Sequence, residues 1–401
     1  MSTRRHAARC AASLILLAGL PGASPAQARD SVARPAASPL DFSGLMFGNY
    51  MYRTDSATRA ANGGQPRSQF NLDRVYLTFR MPAGEDASVR VTTDVFQQPV
   101  SGYYSGWTIR LKYTYVQFDF LHDIGGLAGF NAAARVGMVH TIAIDHYETF
   151  WPRALGTTDV EMYGFFPSSD LGAALLVTLP GKLGEAYATV TNGSGFVSAE
   201  TNRFQDLALR LSLTPFASGK HLFSTLTISP WISAGANAST HQADAAPATL
   251  GPVSDRLRND RWGILVGNHD RRLTVALDYG VRRETFEAGA NTAASPLVLA
   301  DSAGTVVSEY VSVRPAEWLD RTGKSPWGLL VRHDEFVPRT GAVGAGGRTP
   351  SQQHWVAGVF WDPNRNNTIT LDYQSQSFSN YLPAAQPPSQ TTWFVHWLVT
   401  F

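Results

Sequence analysis

Five arginines, Arg74, Arg90, Arg110, Arg210 and Arg332, stand in short segments where every second side chain is apolar and the arginine falls between them. A guanidinium stays charged at any working pH and offers a planar fork of donors suited to carboxylate or phosphate. A column of such groups on one wall would draw anions. Asp94, Asp206, Asp278 and Asp372 sit on polar faces too and could pair with them instead, and the sequence leaves both arrangements open. A second set of charges, Asp145, His146, Glu148, Arg153, Asp159 and Glu161, lies within 140–169, among the aromatics Phe150, Trp151, Phe165 and Phe166. Charges of both signs facing each other across a narrow passage create a transverse field that orients dipolar solutes.

Covalent chemistry finds less support. Ser194 lies in "NGSGF", which is not G-x-S-x-G and reads as a turn rather than a strand-to-helix elbow. His140 and His146 are six residues apart with Asp145 between them, which is not a metal-ligand spacing. His333, His354 and His396 stand singly. No catalytic residue, metal ligand or cofactor is assigned. Formal charge is +1, with no basic field that would suggest nucleic acid as a partner.

Such charges need elements to hold them. Alternation with period 2 recurs along the chain, and helical periodicity is scarce. In "RVYLTFRM", Val75, Leu77 and Phe79 oppose Arg74, Tyr76, Thr78 and Arg80. In "FQDLALRLSLT", Leu207, Leu209, Leu211 and Leu213 oppose Asp206, Ala208, Arg210 and Ser212. About sixteen strands are expected between residues 41 and 401, with apolar faces about as long as a tilted strand needs to cross a bilayer. Connections alternate: short turns such as "MPAGED", "PGKLG", "NHD" and "DPNRN" follow even-numbered strands, and long gaps such as 140–169 and 234–258 follow odd ones. That layout predicts a transmembrane antiparallel β-barrel with short periplasmic turns and long extracellular loops. The 140–169 loop is expected either to fold into the lumen, narrowing it, or to pack on the outer rim. Trp107, Trp231, Trp262, Trp327, Trp355, Trp361 and Trp393 fall near strand ends, where interfacial girdles sit.

Charged residues make up 16% of the chain, against about a quarter in ordinary soluble domains, which suits a surface facing hydrocarbon. Residues 1–28 read as a signal peptide: Arg4, Arg5 and Arg9, then "AASLILLAGL", then Ala26-Gln27-Ala28. Loss of those three arginines with no acid would take the charge to about −2. Residues 29–40 form an N-terminal segment and 41–401 the barrel. The segment "TTWFVHWLVTF", with Trp397, Val399 and Phe401 on one face, resembles the signal by which the barrel-assembly machinery takes up outer-membrane barrels.

Five segments, "FNLDRVYLTF" (70–79), "SVRVTTDVF" (88–96), "LKYTYVQFDF" (111–120), "AARVGMVHT" (133–141) and "YATVTNGSG" (187–195), resemble strands of the phosphate-selective porin O/P family. The resemblance spans roughly residues 66–200. It implies a sixteen-stranded porin, a homotrimer, whose third loop enters the lumen. The chain departs from the family in placing Asp73 before Arg74 and in having few lysines, so the implication covers the porin and not phosphate selectivity. Passive diffusion of small hydrophilic or anionic solutes through a bacterial outer membrane, with its lipid as surroundings, is the function expected. An outer-membrane barrel with an enzymatic or structural role and a soluble, secreted all-β binding protein are the alternatives. Cell fractionation separates the last from the rest. The barrel should appear in the outer-membrane fraction and need detergent for extraction, whereas recovery in the periplasmic extract would reject it.

Overall fold

A computed structural model describes residues 40–98, 106–122, 129–200, 202–219, 221–238, 256–288, 298–319 and 323–401. The expected signal peptide and nearly all of the segment after it lie outside the described residues. Sixteen strands follow one another: β1 (Asp41–Arg53), β2 (Arg67–Pro82), β3 (Ala87–Gln98), β4 (Gly106–His122), β5 (Asn131–His140), β6 (Ser169–Leu179), β7 (Gly184–Thr191), β8 (Asp206–Leu213), β9 (Thr227–Ala238), β10 (Arg256–His269), β11 (Leu273–Ala288), β12 (Val298–Val313), β13 (Trp327–Val337), β14 (Ser351–Asn364), β15 (Asn367–Ser379) and β16 (Gln390–Thr400). Each pairs antiparallel with its neighbours in sequence, and β1 pairs with β16, so the sheet closes as a barrel. Closure leaves no edge strand with unpaired N–H and C=O groups.

The two faces of the strands are the reverse of a soluble sheet. On β8, Leu207, Leu209 and Leu213 point outward and are exposed, while Arg210 and Ser212 point inward and are buried. On β2, Tyr76 and Thr78 are buried inside. Outward aromatics mark two levels. Near the short-turn end Trp327 stacks on Trp361 with centroids 5.6 Å apart. Toward the loop end Trp262 meets Tyr279 at 5.8 Å and Trp393 meets Tyr373 at 5.1 Å. Trp231 departs from the expected girdle. It points into the barrel and is buried, because Ile228 and Ile232 take the outward parity of β9. The strand begins only at Thr227, after residues 221–226. Those residues form turns, with Ser224 N–H bonded to His221 and Leu226 N–H to Phe223. The far end of the strand, Ala234–Ala238, is built from small residues that leave no pattern to read.

A bulge in β2 resolves the sequence pair Asp73–Arg74. The register with β1 shifts between Phe47 and Gly48, so both residues face the lumen. Asn49 Nδ2 donates to Asp73 at 2.7 Å, and Arg74 Nη1 donates to Asp94 at 2.9 Å.

At the closing seam, Gly44 and Gly48 of β1 lie under side chains of the last strand. A Cβ at Gly44 would stand 2.2 Å from the Phe401 ring, and one at Gly48 would stand 2.3 Å from Asn71 O and 2.7 Å from the Trp397 ring. Phe401 N–H donates to Gly44 O at 3.0 Å, and Gly44 N–H returns a bond at 2.6 Å. The two obstacles differ in kind, one a ring free to swing into lipid and the other backbone. Gly48→Ala should therefore cost about 1–3 kcal/mol and Gly44→Ala less. Urea unfolding in detergent micelles, followed by tryptophan fluorescence, reads both; equal midpoints for the two variants would refute the seam.

Candidate functional site

The connection between β5 and β6, residues 141–168, lies inside the barrel. It carries α1 (Ile144–Tyr147), a turn of 3-10 helix at Arg153–Leu155 and α2 (Asp159–Met162). Its apolar side chains set its course. Ile142, Ile144, Val160 and Phe165 are fully buried against Tyr113, Tyr187, Trp231, Leu265, Val306 and Phe336 of the wall. Trp151 and Leu155 pack on Tyr310, Leu330, Val356 and Phe360, and Ala154 reaches Phe47 and Tyr76. The loop thus starts at β5 and touches β12–β14 and β1–β2 on its way. Gly267 of β10 makes room for it: a Cβ there would stand 2.5 Å from the Phe150 ring.

Wall side chains also hold the loop backbone, which has no ladder of its own. Arg332 Nη1 donates to Thr157 O at 2.9 Å, Arg282 Nη1 to Tyr163 O at 3.1 Å and Gln374 Nε2 to Leu155 O at 3.0 Å, and Arg210 donates to Ile142 O. In return Tyr147 OH donates to Asp278 Oδ1 at 2.5 Å and receives the Trp231 Nε1–H at 2.9 Å.

The five arginines separate into two groups. Arg210 and Arg332 are 5% and 2% exposed. Arg210 is paired with Glu185; Arg332 is paired with Asp334 at 2.7 Å and lies 4.3 Å over the Trp151 ring. Both act as clamps on the loop. Arg74 and Arg110 share one carboxylate, Asp94, at 2.9 and 2.8 Å, and stay about a quarter exposed to the lumen. Arg90 lies 4.9 Å over Tyr113, with Nη1 3.1 Å from His140 Nε2. Of the four candidate aspartates only Asp94 pairs with these arginines. Asp372 meets His396 at 2.7 Å, Asp278 takes Tyr147, and Asp206 accepts Ala236 N–H.

All six charged loop residues are engaged. Asp145 lies 3.0 Å from His140 Nε2 and accepts from Tyr113 OH at 3.1 Å. Arg153 bridges Glu148 at 3.1 Å and Glu161, and Ser168 Oγ donates to Glu161. His146 Nε2 is 2.8 Å from Ser229 Oγ. Burial, with Arg210 nearby, lowers its pKa to about 3, so the ring is neutral in the working range. Asp159 faces Asp278. Clefts between loop and wall include one of about 550 Å³ lined by Arg135, His140, Lys182, Glu185 and Tyr187, and one of about 380 Å³ lined by Phe150, Tyr310, Arg314, Asp362 and His396.

Sequence reading missed Arg282, Tyr147 and Gln374. Arg282 was within reach: continuing the alternation of β11 past Val281 puts it on the lumen side with Asp278. Tyr147 and Gln374 carry no such signal, since their role depends on where the loop crosses.

A closed sixteen-stranded antiparallel barrel with a loop inside it is the fold of bacterial outer-membrane porins and channels. The chain is similar, in particular, to OmpF of Salmonella typhi in complex with daunomycin, at TM-score 0.56 and 12% identity over 90% of this chain and 97% of that one. It is similar to the outer membrane channel DcaP of Acinetobacter baumannii at TM-score 0.55 and 10% identity, over 92% and 99% of the two chains. It is also similar to the trimer form of OmpT, an outer membrane protein of Vibrio cholerae, at TM-score 0.56 and 9% identity, over 91% and 100%. No protein-family model and no curated protein matches the chain. At these identities the likeness establishes the fold.

The two groups of arginines should differ in stability. Arg332→Ala leaves the buried Asp334 without its guanidinium, with Ser308 still donating to it, and should cost about 3 kcal/mol. Arg74→Ala at a half-open position should cost no more than about 1 kcal/mol. Urea midpoints of the two variants check this; equal losses would contradict the division.

Proposed function

We propose that the protein is an outer-membrane porin through which small hydrophilic solutes pass by diffusion, with a mild preference for anions. The observation that supports this most is the placement of charge. Apolar side chains cover the outside, and partly exposed guanidinium groups face the lumen. On β2–β5 the inward cations Arg74, Arg90, Arg110, Lys112 and Arg135 outnumber the carboxylates: Asp94 serves two of them, Asp73 is held by Asn49 and Asp119 by Gln117. Across the lumen the buried Asp334 of β13 is balanced by Arg332, and Asp278 of β11 is buried under the loop. A solute beside the loop would meet the surplus of cations on β2–β5. The loop charges Asp145, His146, Glu148, Arg153, Asp159 and Glu161 serve in this reading to shape the constriction, since each is bound to the loop or the wall. Export by the signal peptide, insertion by the barrel-assembly machinery through Trp397, Val399 and Phe401, and assembly as a homotrimer complete the proposal. The proposal does not include phosphate selectivity: a dedicated phosphate track would need guanidinium groups that Arg210 and Arg332 have committed to the loop.

Purified protein in planar bilayers should give stepwise conductance, and silence despite confirmed insertion would overturn the channel reading. Reversal potential in a salt gradient should show a modest anion preference. The double variant Arg74→Gln/Arg110→Gln should move it toward cations, because Asp94 is then left without its partners. Cation preference in the unmodified protein would reject the arginine track.

A further inference from the structure

We propose that the loop is pinned across the lumen by one proton held between Asp159 of α2 and Asp278 of β11, and that loss of this proton frees the loop and widens the channel. The inference concerns regulation of the constriction and rests on the channel reading above. The two carboxyl groups come from opposite partners, one from the loop and one from the wall. They are 4% and 2% exposed and lie within hydrogen-bonding reach of each other. Ionised carboxylates only accept, so two of them at this distance repel. Asp278 Oδ1 is filled by Tyr147 OH, whereas Oδ2 of Asp278 and Oδ2 of Asp159 have no donor. One proton between the carboxyls supplies the missing donor and removes one of two buried charges.

A neighbouring cation favours the charged carboxylate of Asp159 but makes no hydrogen bond to it. Arg332 of β13 is the cation at hand, and both arms of its fork go to Asp334, at 2.8 and 2.7 Å. His354 of β14 and Tyr163 of the loop face that same Asp334, each 3.5 Å away. Tyr147 is spent on Asp278. The strands β10 and β12 bring Leu265, Ser308 and Tyr310, none charged. Between loop and wall lies a small cavity of about 20 Å³ lined by Thr158, Asp159, Asp278, Ser308 and Arg332. That is room for about one water, and Thr158 Oγ1, buried beside the pair, has no partner. Opening the pair therefore has somewhere to draw water from.

The sign follows from linkage. Burial raises the carboxyl of Asp159 above its usual range while the loop is docked. Once released, the carboxyl returns to about 3.9 and ionises. Docking thus takes up a proton: it is complete at low pH, and the released fraction rises about tenfold per pH unit until the docked pair itself ionises.

Cysteine labelling reads release without relying on current. Val160 is fully buried in the docked loop, so Val160→Cys in a Cys10→Ser background reacts with a maleimide only when the loop leaves. The rate is divided by that of an exposed control, Gly341→Cys, which removes the pH dependence of the thiol itself. Between about pH 5 and about pH 9 the normalised rate should rise at least about tenfold. Adding Asp278→Asn, which still accepts from Tyr147 and can donate to Asp159, should flatten the profile; Asp159→Asn is the second variant should the first fail to fold. A flat profile in the parent, or an unchanged slope in both variants, overturns the shared proton. Conductance over the same range separates the two readings. Labelling that rises with pH in a silent barrel rejects the channel and keeps the pin. Steady conductance with flat labelling rejects the pin and keeps the channel.

Discussion

Hydrocarbon offers no hydrogen bonds, so every backbone N–H and C=O inside the bilayer must find a partner within the protein. Closing β1 onto β16 meets that demand, and the rest of the architecture follows from it. Because side chains alternate, one face of each strand must meet lipid and the other must line whatever space the ring encloses. The leucines of β8 are exposed for this reason, and Arg210 and Ser212 of the same strand are buried.

A ring of sixteen strands is too wide for its own side chains to fill. Here the space is partly taken by residues 141–168, and that filling explains why the lumen is less polar than the strand pattern suggests. Leu330 shares the inward face with Arg332, an oddity in a wet pore but natural where Leu155 and Trp151 pack on it. The irregular backbone of the loop brings its own unmet groups, and four wall side chains meet them at Ile142, Leu155, Thr157 and Tyr163. Arginine suits this work because its fork can hold a carboxylate and a carbonyl at once, as Arg332 does with Asp334 and Thr157. Arg210 and Arg332 are thereby withdrawn from the lumen, leaving Arg74, Arg90 and Arg110 of the five partly open to it.

Much of the barrel was legible in the sequence because period 2 is the direct imprint of a two-sided wall. Strand number, the alternation of turn and loop lengths, and the inward parity of Arg74, Arg210 and Arg332 all follow from it. Phe150, Trp151, Phe165 and Phe166 also announced a loop in need of apolar surroundings, and all four are buried. Two kinds of information were hidden. Small residues such as Ala234–Ala238 obey the alternation without showing it. Partner choice across the lumen depends on three-dimensional approach, so Arg210 with Glu185 and Asp278 with Tyr147 could not be inferred from parity.

The glycines of β1 bear on how the ring finds its final form. Gly44 and Gly48 are four apart, as are Phe401 and Trp397, and Met46 lies opposite Val399 between them. If β16 slid by two residues, its large rings would fall on Met46 or Tyr50 and find no hollow there. The spacing thus acts as a vernier, holding the alignment of last strand to first against a slip of two residues. Since that alignment sets the stagger of the whole ring, a pair of missing side chains on one strand decides the girth and slant of all sixteen.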